Sequence, residues 1–259
     1  MKTLLRLAVA CFLLLLACPT IQAQPDTLRL RVMTYNLRFG ELASLDELAA
    51  HIKAFKPDFV ALQEVDVRTN RSMTPHQNGK DFISELAYKS HMLGLFGKAI
   101  DFAGGYYGIG ILSKYPYTKV EKLLLPNPDN EEQRALLYAA FEVGKDTVVF
   151  ATTHLDVVSE KTRTLQAEFI SRHFAGSQQP VIIGGDFNAE DDSPTTAFMN
   201  RYWTPLSDKA LTFPSSGPKK RIDYLFALPQ KGWCVVQSQV VRSLLSDHCP
   251  IVTDIEYIR

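Results

Sequence analysis

Asp186 and Asn188 close the run VIIGGDFN, in which apolar residues and two glycines lead into an acid and an amide. A buried carboxylate without partners is costly, so a cleft is the cheaper place for Asp186. Asp186 and Asn188 are two apart, so the pleat of the strand sends both side chains to one side. An Asx turn capping the strand, helped by Gly184 and Gly185, is the plainer alternative. The same kind of ending recurs along the chain. VMTYN closes on Asn36, VALQE closes on Glu64, and ATTHLD brings His154 near its end with Thr152 and Asp156 on the same face. RIDY sets Asp223 at a strand start, and SDHCP sets Asp247 and His248 just before Pro250 and a final strand. Each has a bland reading alone. Asn36 could be a turn residue, Glu64 a strand-end charge, His154 a hydrogen-bonded core histidine, and Asp247 a turn cap. Asp223 could pair with Arg221 or Arg134. What those readings do not supply is the joint occurrence, which gathers ionisable and polar side chains at emerging strand ends, as a reactive cleft would.

Such residues need strands to carry them. LRLRVMTYN (28–36) alternates as a half-buried strand does. Residues 44–55 are predicted as a helix: Ser44 and Glu47 make a capping box, Leu48, Ile52 and Phe55 share a face, and Pro57 stops it. Further strands are predicted at 59–65, 107–113, 119–125, 135–143, 147–155, 181–187, 221–228, 233–241 and 250–258. Helices are predicted at 81–91 and 159–174, and from Ser193 as N-cap with Pro194 at the first helical position. Strands so often sequential argue against strict βαβ alternation. Two sheets packed face to face with helices outside is the natural layered solution. No internal repeat or low-complexity linker interrupts the chain.

The 259 residues are 46% hydrophobic, with 28 basic and 28 acidic side chains. No net field would draw the chain onto nucleic acid or an anionic membrane. The N-terminus reads as a secretory signal peptide, residues 1–23: Lys2 and Arg6, an apolar run from Leu7 to Cys18, then small residues up to Ala23. Residues 24–259 are then one domain, exported to the periplasm or the exterior. LLAC at 15–18 offers a lipobox alternative, with Cys18 lipidated and the protein an inner- or outer-membrane lipoprotein. That anchor is the sole membrane attachment expected. Cys234 and Cys249 could pair in an exported protein, but without a local spacing signal they read as separate buried thiols. No CxxC or HExxH occurs, which disfavours zinc.

Six motifs in order, TYN (34–36), LQEV (62–65), THLD (153–156), GGDFN (184–188), RIDY (221–224) and SDHCP (246–250), resemble the endonuclease/exonuclease/phosphatase superfamily. Its members include deoxyribonuclease I, abasic-site endonucleases, inositol polyphosphate 5-phosphatases, neutral sphingomyelinases and deadenylases. The resemblance spans the mature chain. It implies an α+β fold, a four-layered α/β/β/α sandwich of two mainly antiparallel sheets flanked by helices. It also implies divalent-metal-dependent phosphoester hydrolysis. Mg²⁺, with Mn²⁺ suited to the same oxygen donors, would be held by Glu64 with Asn36 beside it and Asp247 close by. His248 is implied as base or phosphate contact, with Asp223 fixing its tautomer. Asp186 is the other candidate base, Asn188 orients water or phosphate, and His154 donates to the phosphate or the leaving oxygen. His154 places the chain nearer the deoxyribonuclease I, sphingomyelinase and phosphatase branches than the abasic-site enzymes.

Four more residues are candidates for substrate contact. Arg68 and Arg71 follow Glu64 and could fork onto a phosphate, or lie in a solvated loop. Tyr107 could belong to a cleft wall. Arg134 could contact an anion or pair with an acid. A duplex nuclease needs a basic stripe, and here basic residues are scattered, KKR (219–221) being the one tight cluster. A small organophosphate, sugar phosphate or phospholipid headgroup is therefore preferred as substrate. A secreted nuclease is the alternative, and a non-catalytic binding module the third reading. A monomer is expected.

Overall fold

The computed structural model describes residues 27–258. The leader 1–23 and Cys18 lie outside the described residues. One six-stranded sheet holds β1 (Thr27–Asn36), β2 (Phe59–Val67), β3 (Leu93–Phe102), β4 (Gly105–Ser113), β11 (Trp233–Val240) and β12 (Ile251–Ile258), in the order β11-β12-β1-β2-β4-β3. The other holds β5 (Tyr117–Leu124), β6 (Ala135–Val143), β7 (Asp146–His154), β8 (Val181–Asp186), β9 (Thr204–Pro205) and β10 (Asp223–Leu228), in the order β5-β6-β7-β8-β10-β9. β1 with β2 and β7 with β8 are parallel, and the remaining pairs are antiparallel.

Helices α1 (Leu45–Phe55) and α2 (Phe82–Ser90) cover the first sheet, setting Leu48, Ile52, Phe82 and Leu86 against Met33, Tyr35, Leu62 and Val65. Helices α3 (Glu160–Phe174) and α4 (Pro194–Tyr202) cover the second, with Ala167, Ile170 and Met199 against Ala151, Ile183 and Phe226. Between the sheets lie Val32, Phe59, Ile111, Leu137, Phe150, Ile182 and Leu225. The layers are those of the expected sandwich. The caps are as read: Ser44 accepts from the Glu47 amide at 3.3 Å while the Glu47 carboxylate accepts from the Ser44 amide at 2.9 Å. Ser193 caps α4 ahead of Pro194.

Strand parity explains how the sandwich ends in a polar site. A strand puts alternate residues on one face. On the inter-sheet face run Val32, Thr34 and Asn36 of β1; Phe150, Thr152 and His154 of β7; Ile182, Gly184 and Asp186 of β8; and, in reverse, Ala227, Leu225 and Asp223 of β10. All four rows turn from apolar to polar at the same end. Near that end the sheets approach closely, because a Cβ on Gly184 would lie 2.9 Å from Ala61 Cβ and 3.1 Å from Thr34 Cβ. Gln63 of the first sheet donates to Thr152 Oγ1 of the second at 3.0 Å, satisfying both buried polar groups.

Three expectations need correction. The strand Leu93–Phe102 was not foreseen, because LGLFGKAIDF holds two glycines and no period of two. Its pairing with β4 depends on Gly108, where a Cβ would lie 2.1 Å from the Gly97 carbonyl oxygen. β8 stops at Asp186, and Asn188 lies beyond it at φ 49°, so the pleat does not align the two. An Asx turn does: the Asn188 amide donates to Asp186 Oδ1 at 2.9 Å, and both side chains face the same cleft. Cys234 and Cys249 are both free thiols, but Cys234 is exposed rather than buried.

Candidate active site

At the polar end of the sandwich a cleft of about 820 Å³ opens. Glu64 reaches it through a β-bulge. Leu62 pairs with Gly110 and Val65 with Gly108, so Gln63 and Glu64 both stand opposite Ile109. Glu64 takes φ 54°, which turns into the cleft a side chain that strict alternation would send beneath α2. Bulges re-aim side chains in this way, and a left-handed non-glycine residue is retained only when its surroundings hold it.

Asp186 is the hub. Its Oδ2 accepts from Asn36 Nδ2 at 3.0 Å and lies 3.5 Å from His154 Nε2 and 3.6 Å from His248 Nε2. Burial pushes its carboxyl up to about 7; the His248 charge opposes that rise and Asp223 adds to it. His248 Nδ1 contacts Asp223 Oδ2 at 2.9 Å. Burial disfavours the charged His248 ring, yet Asp223 and Asp186 outweigh it and raise the ring to about 10. It is an imidazolium at neutral pH. Burial holds His154 well below the ordinary histidine value, and the Arg134 charge adds to the effect. An Arg134 guanidinium N–H stands 3.2 Å from His154 Nδ1. Guanidinium only donates, so Nδ1 is the acceptor and Nε2 carries the proton.

The loop bearing Asp247 and His248 is tied to the first sheet, because Ser246 Oγ donates to the Asn36 carbonyl at 2.7 Å. Asp247 pairs with Arg38, which also pairs with Glu41. Glu64 accepts one hydrogen bond among the described residues, from Asn36 Nδ2 at 3.0 Å, and burial raises its carboxyl. Asn36 thus stands with its NH₂ between two carboxylates, while its amide oxygen accepts from the Arg38 amide at 2.9 Å. It relieves two acids from a position where an oxygen ligand was expected.

The structure therefore brings Asn36, Glu64, His154, Asp186, Asn188, Asp223, Asp247 and His248 to one floor. Tyr107 and Arg134 join them as cleft residues. Burial, with Glu64 and Glu132 nearby, raises the Tyr107 phenol well above its ordinary value, so it stays protonated. Of the two readings made of Arg134, the pairing with an acid is the one seen: it is on Glu132 at 2.8 Å, and it also abuts His154. Arg68 and Arg71 do not line the cleft. Arg68 is exposed. Arg71 forks onto Asp66 at 2.6 and 3.0 Å, between the rings of Phe39 and Phe102, each 4.2 Å from its guanidinium. That ion pair and stack hold the wall behind Tyr107. Asp223 pairs with neither Arg221 nor Arg134, since Arg221 is on Asp191 at 2.6 Å. Asp156 caps the turn into α3 by accepting from the Val158 and Ser159 amides. Sequence reasoning missed Arg38, whose position two residues past Asn36 was the available signal, and Glu132 and Asp192, which sit in loops without periodicity. A second cavity, of about 570 Å³ between α3 and α4, is lined by Phe174, Phe198 and Trp203; its charged lining residues, Glu168 and Arg172, pair at 3.7 Å.

Residues 33–248 match the family model described as Endonuclease/Exonuclease/phosphatase family. Among solved structures, one similar fold is an endonuclease/exonuclease/phosphatase from Beutenbergia cavernae, at 22% identity and TM-score 0.74, covering 88% of this chain and 72% of that one. A mannosyl-6-phosphatase from Bacteroides thetaiotaomicron is 17% identical, with TM-score 0.69 and coverage of 87% and 99%. The human Nocturnin catalytic domain with bound sulfate is 17% identical, with TM-score 0.68 and coverage of 90% and 98%. At these identities the likeness establishes the fold. No curated protein sequence matches the chain.

Proposed function

The chain belongs to the endonuclease/exonuclease/phosphatase family, whose members are phosphoester hydrolases, and on that premise we propose that it is an exported, divalent-metal-dependent phosphodiesterase or phosphatase of a small organophosphate, sugar phosphate or phospholipid headgroup. The observation that carries this reading is the hub at Asp186, with two histidines of opposite charge preference within 3.6 Å of one carboxylate oxygen.

The donor chemistry fits a magnesium or manganese ion. Glu64 and Asp247 are carboxylates on one cleft; burial raises Glu64 and Asp247 adds to that rise, while Arg38 pairs with Asp247 from outside the cleft lining. Asp186, Asp223 and His248 also present atoms within 4.8 Å of one another. There, however, the protonated ring of His248 already supplies the positive charge. Glu64 and Asp247 are thus the residues proposed to hold the ion, which when bound would polarise a phosphoryl oxygen and stabilise charge on the leaving group.

The chain's own groups divide the remaining work. Asp186, raised towards neutrality, takes the proton of the attacking water. His248 holds a phosphoryl oxygen as a cation, oriented by Asp223. Neutral His154 presents Nε2–H to the phosphate or leaving oxygen. Asn188, its Nδ2 held by the Leu155 carbonyl at 3.0 Å, keeps its amide oxygen for the water.

The test is hydrolysis of a panel of plasmid DNA, RNA, sphingomyelin, inositol phosphates and sugar phosphates, with Mg²⁺ and with EDTA. Turnover that EDTA abolishes supports the proposal, and metal-independent turnover contradicts it. Calorimetric titration of Mn²⁺ into the wild type and Glu64→Gln is expected to show binding weakened at least about tenfold in the variant. Export is tested by the N-terminus of the mature protein, expected at Gln24, with lipid labelling of Cys18 marking the lipoprotein alternative.

A further inference from the structure

The cleft has one place for an anion and none to spare. It is lined by Arg134, Arg163, Lys220 and His248. Each already faces a carboxylate: Arg134 faces Glu132 at 2.8 Å, Arg163 faces Glu160 at 2.9 Å, Lys220 faces Glu190 at 3.1 Å, and His248 faces Asp223 at 2.9 Å. Arg134 and His248 at the floor are nonetheless incompletely used. Arg134 is 6% exposed, and its Nε has no partner among the described residues. His248 Nε2 lies 3.6 Å from its nearest carboxylate, so that N–H is free to turn to a phosphoryl oxygen. Higher up, Asp192 lines the same cleft, is exposed, and has no cationic partner among the described residues.

From this distribution we infer that the reacting phosphoryl group is the only anion of the substrate and that the remainder is a neutral group bearing hydroxyls. The inference rests on the hydrolase reading above and narrows its substrate. A second phosphate on the rim would have to take Lys220 or Arg163 from its carboxylate and lie near Asp192. Like charges brought together are strongly selected against. A nucleic-acid strand would face the same difficulty at every step, since it binds through rows of uncommitted Lys and Arg. Hydroxyls meet no such difficulty. Ionised carboxylates are pure acceptors, and Asp192, Glu190 and Glu132 offer them around the mouth of a cavity whose volume suits a small ligand.

The experiment compares matched compounds that differ by one remote phosphate: glucose 6-phosphate against glucose 1,6-bisphosphate for monoester cleavage, and glycerophosphoglycerol against its terminally phosphorylated form for diester cleavage. The intact protein is used with Mg²⁺, and both kcat/KM and calorimetric affinity are read. The expected result is at least about tenfold preference for the singly phosphorylated member of whichever pair is cleaved, narrowing in Asp192→Lys as the rim gains a cation. Equal use of both members, or preference for the doubly phosphorylated one, overturns the inference while leaving the hydrolase reading intact. Absence of turnover on both pairs and on the wider panel above, with the same tenfold preference in binding, overturns the hydrolase reading and keeps the charge selectivity. Absence of both turnover and binding overturns both.

Discussion

The two flanks of the cleft floor hold His154 and His248, which are 6% and 5% exposed and face the same oxygen of Asp186. Equal burial penalises their charged forms alike, yet they separate in opposite directions. On the β7 flank the neighbour is Arg134, and the ring is driven further towards neutrality. On the flank formed by β10 and the loop before β12 the neighbour is Asp223, and the ring is lifted to about 10. Burial alone already drives His154 towards neutrality, and Arg134 reinforces it; on His248 the neighbouring carboxylates reverse the effect of burial. The sign of the second charge thus separates the two rings, and it gives one site a neutral donor and a cation on either side of a single base.

The comparison can be broken at its shared centre first. Asp186→Asn replaces the carboxylate both rings face by a neutral amide that cannot take a proton, and is expected to lower kcat by about 10²–10⁴-fold; a loss under tenfold would take the base role from Asp186. Next in size is Asp223→Asn, which deprives His248 of the carboxylate that raises it. The ring then titrates nearer its ordinary value, so it loses its charge as pH rises through the neutral range. Activity is expected to fall by about 10²-fold at pH 8 and by clearly less at pH 6, where the ring is again protonated. A pH-independent loss would mean that Asp223 only holds geometry. Arg134→Gln should act on the other flank alone. It removes the positive charge and the donor at Nδ1, so the His154 pKa rises, with an expected activity loss of about tenfold and no change in the His248 titration. The smallest effect is a control remote from both flanks: Ser44→Ala removes the α1 cap, lowers stability by about 1 kcal/mol in urea denaturation, and leaves both titrations in place.

Much of this arrangement was legible in the sequence because parity and local motifs carried it. Rows such as Val32-Thr34-Asn36 and Phe150-Thr152-His154 announce an inner face that turns polar, and the Ser44–Glu47 box announces a helix. What stayed hidden depends on partners distant in sequence. The turn of Glu64 into the cleft comes from a register shift against Gly108 and Gly110, which no local pattern around LQEV encodes. Arg71 looked like a phosphate contact because its use by Asp66 needs the rings of Phe39 and Phe102 to close around it. The link between Arg38 and Asp247 spans 209 positions. Asp223 could be assigned to the wrong cation because Arg221 is taken by Asp191, a loop residue with no pattern of its own.

The most direct test of the charge asymmetry is a long-range ¹H–¹⁵N correlation spectrum of the metal-free protein, followed from pH 5 to pH 9. The account predicts that His154 shows the neutral, Nε2-protonated form throughout while His248 shows imidazolium shifts throughout. Two rings titrating together near 6.5 would contradict it.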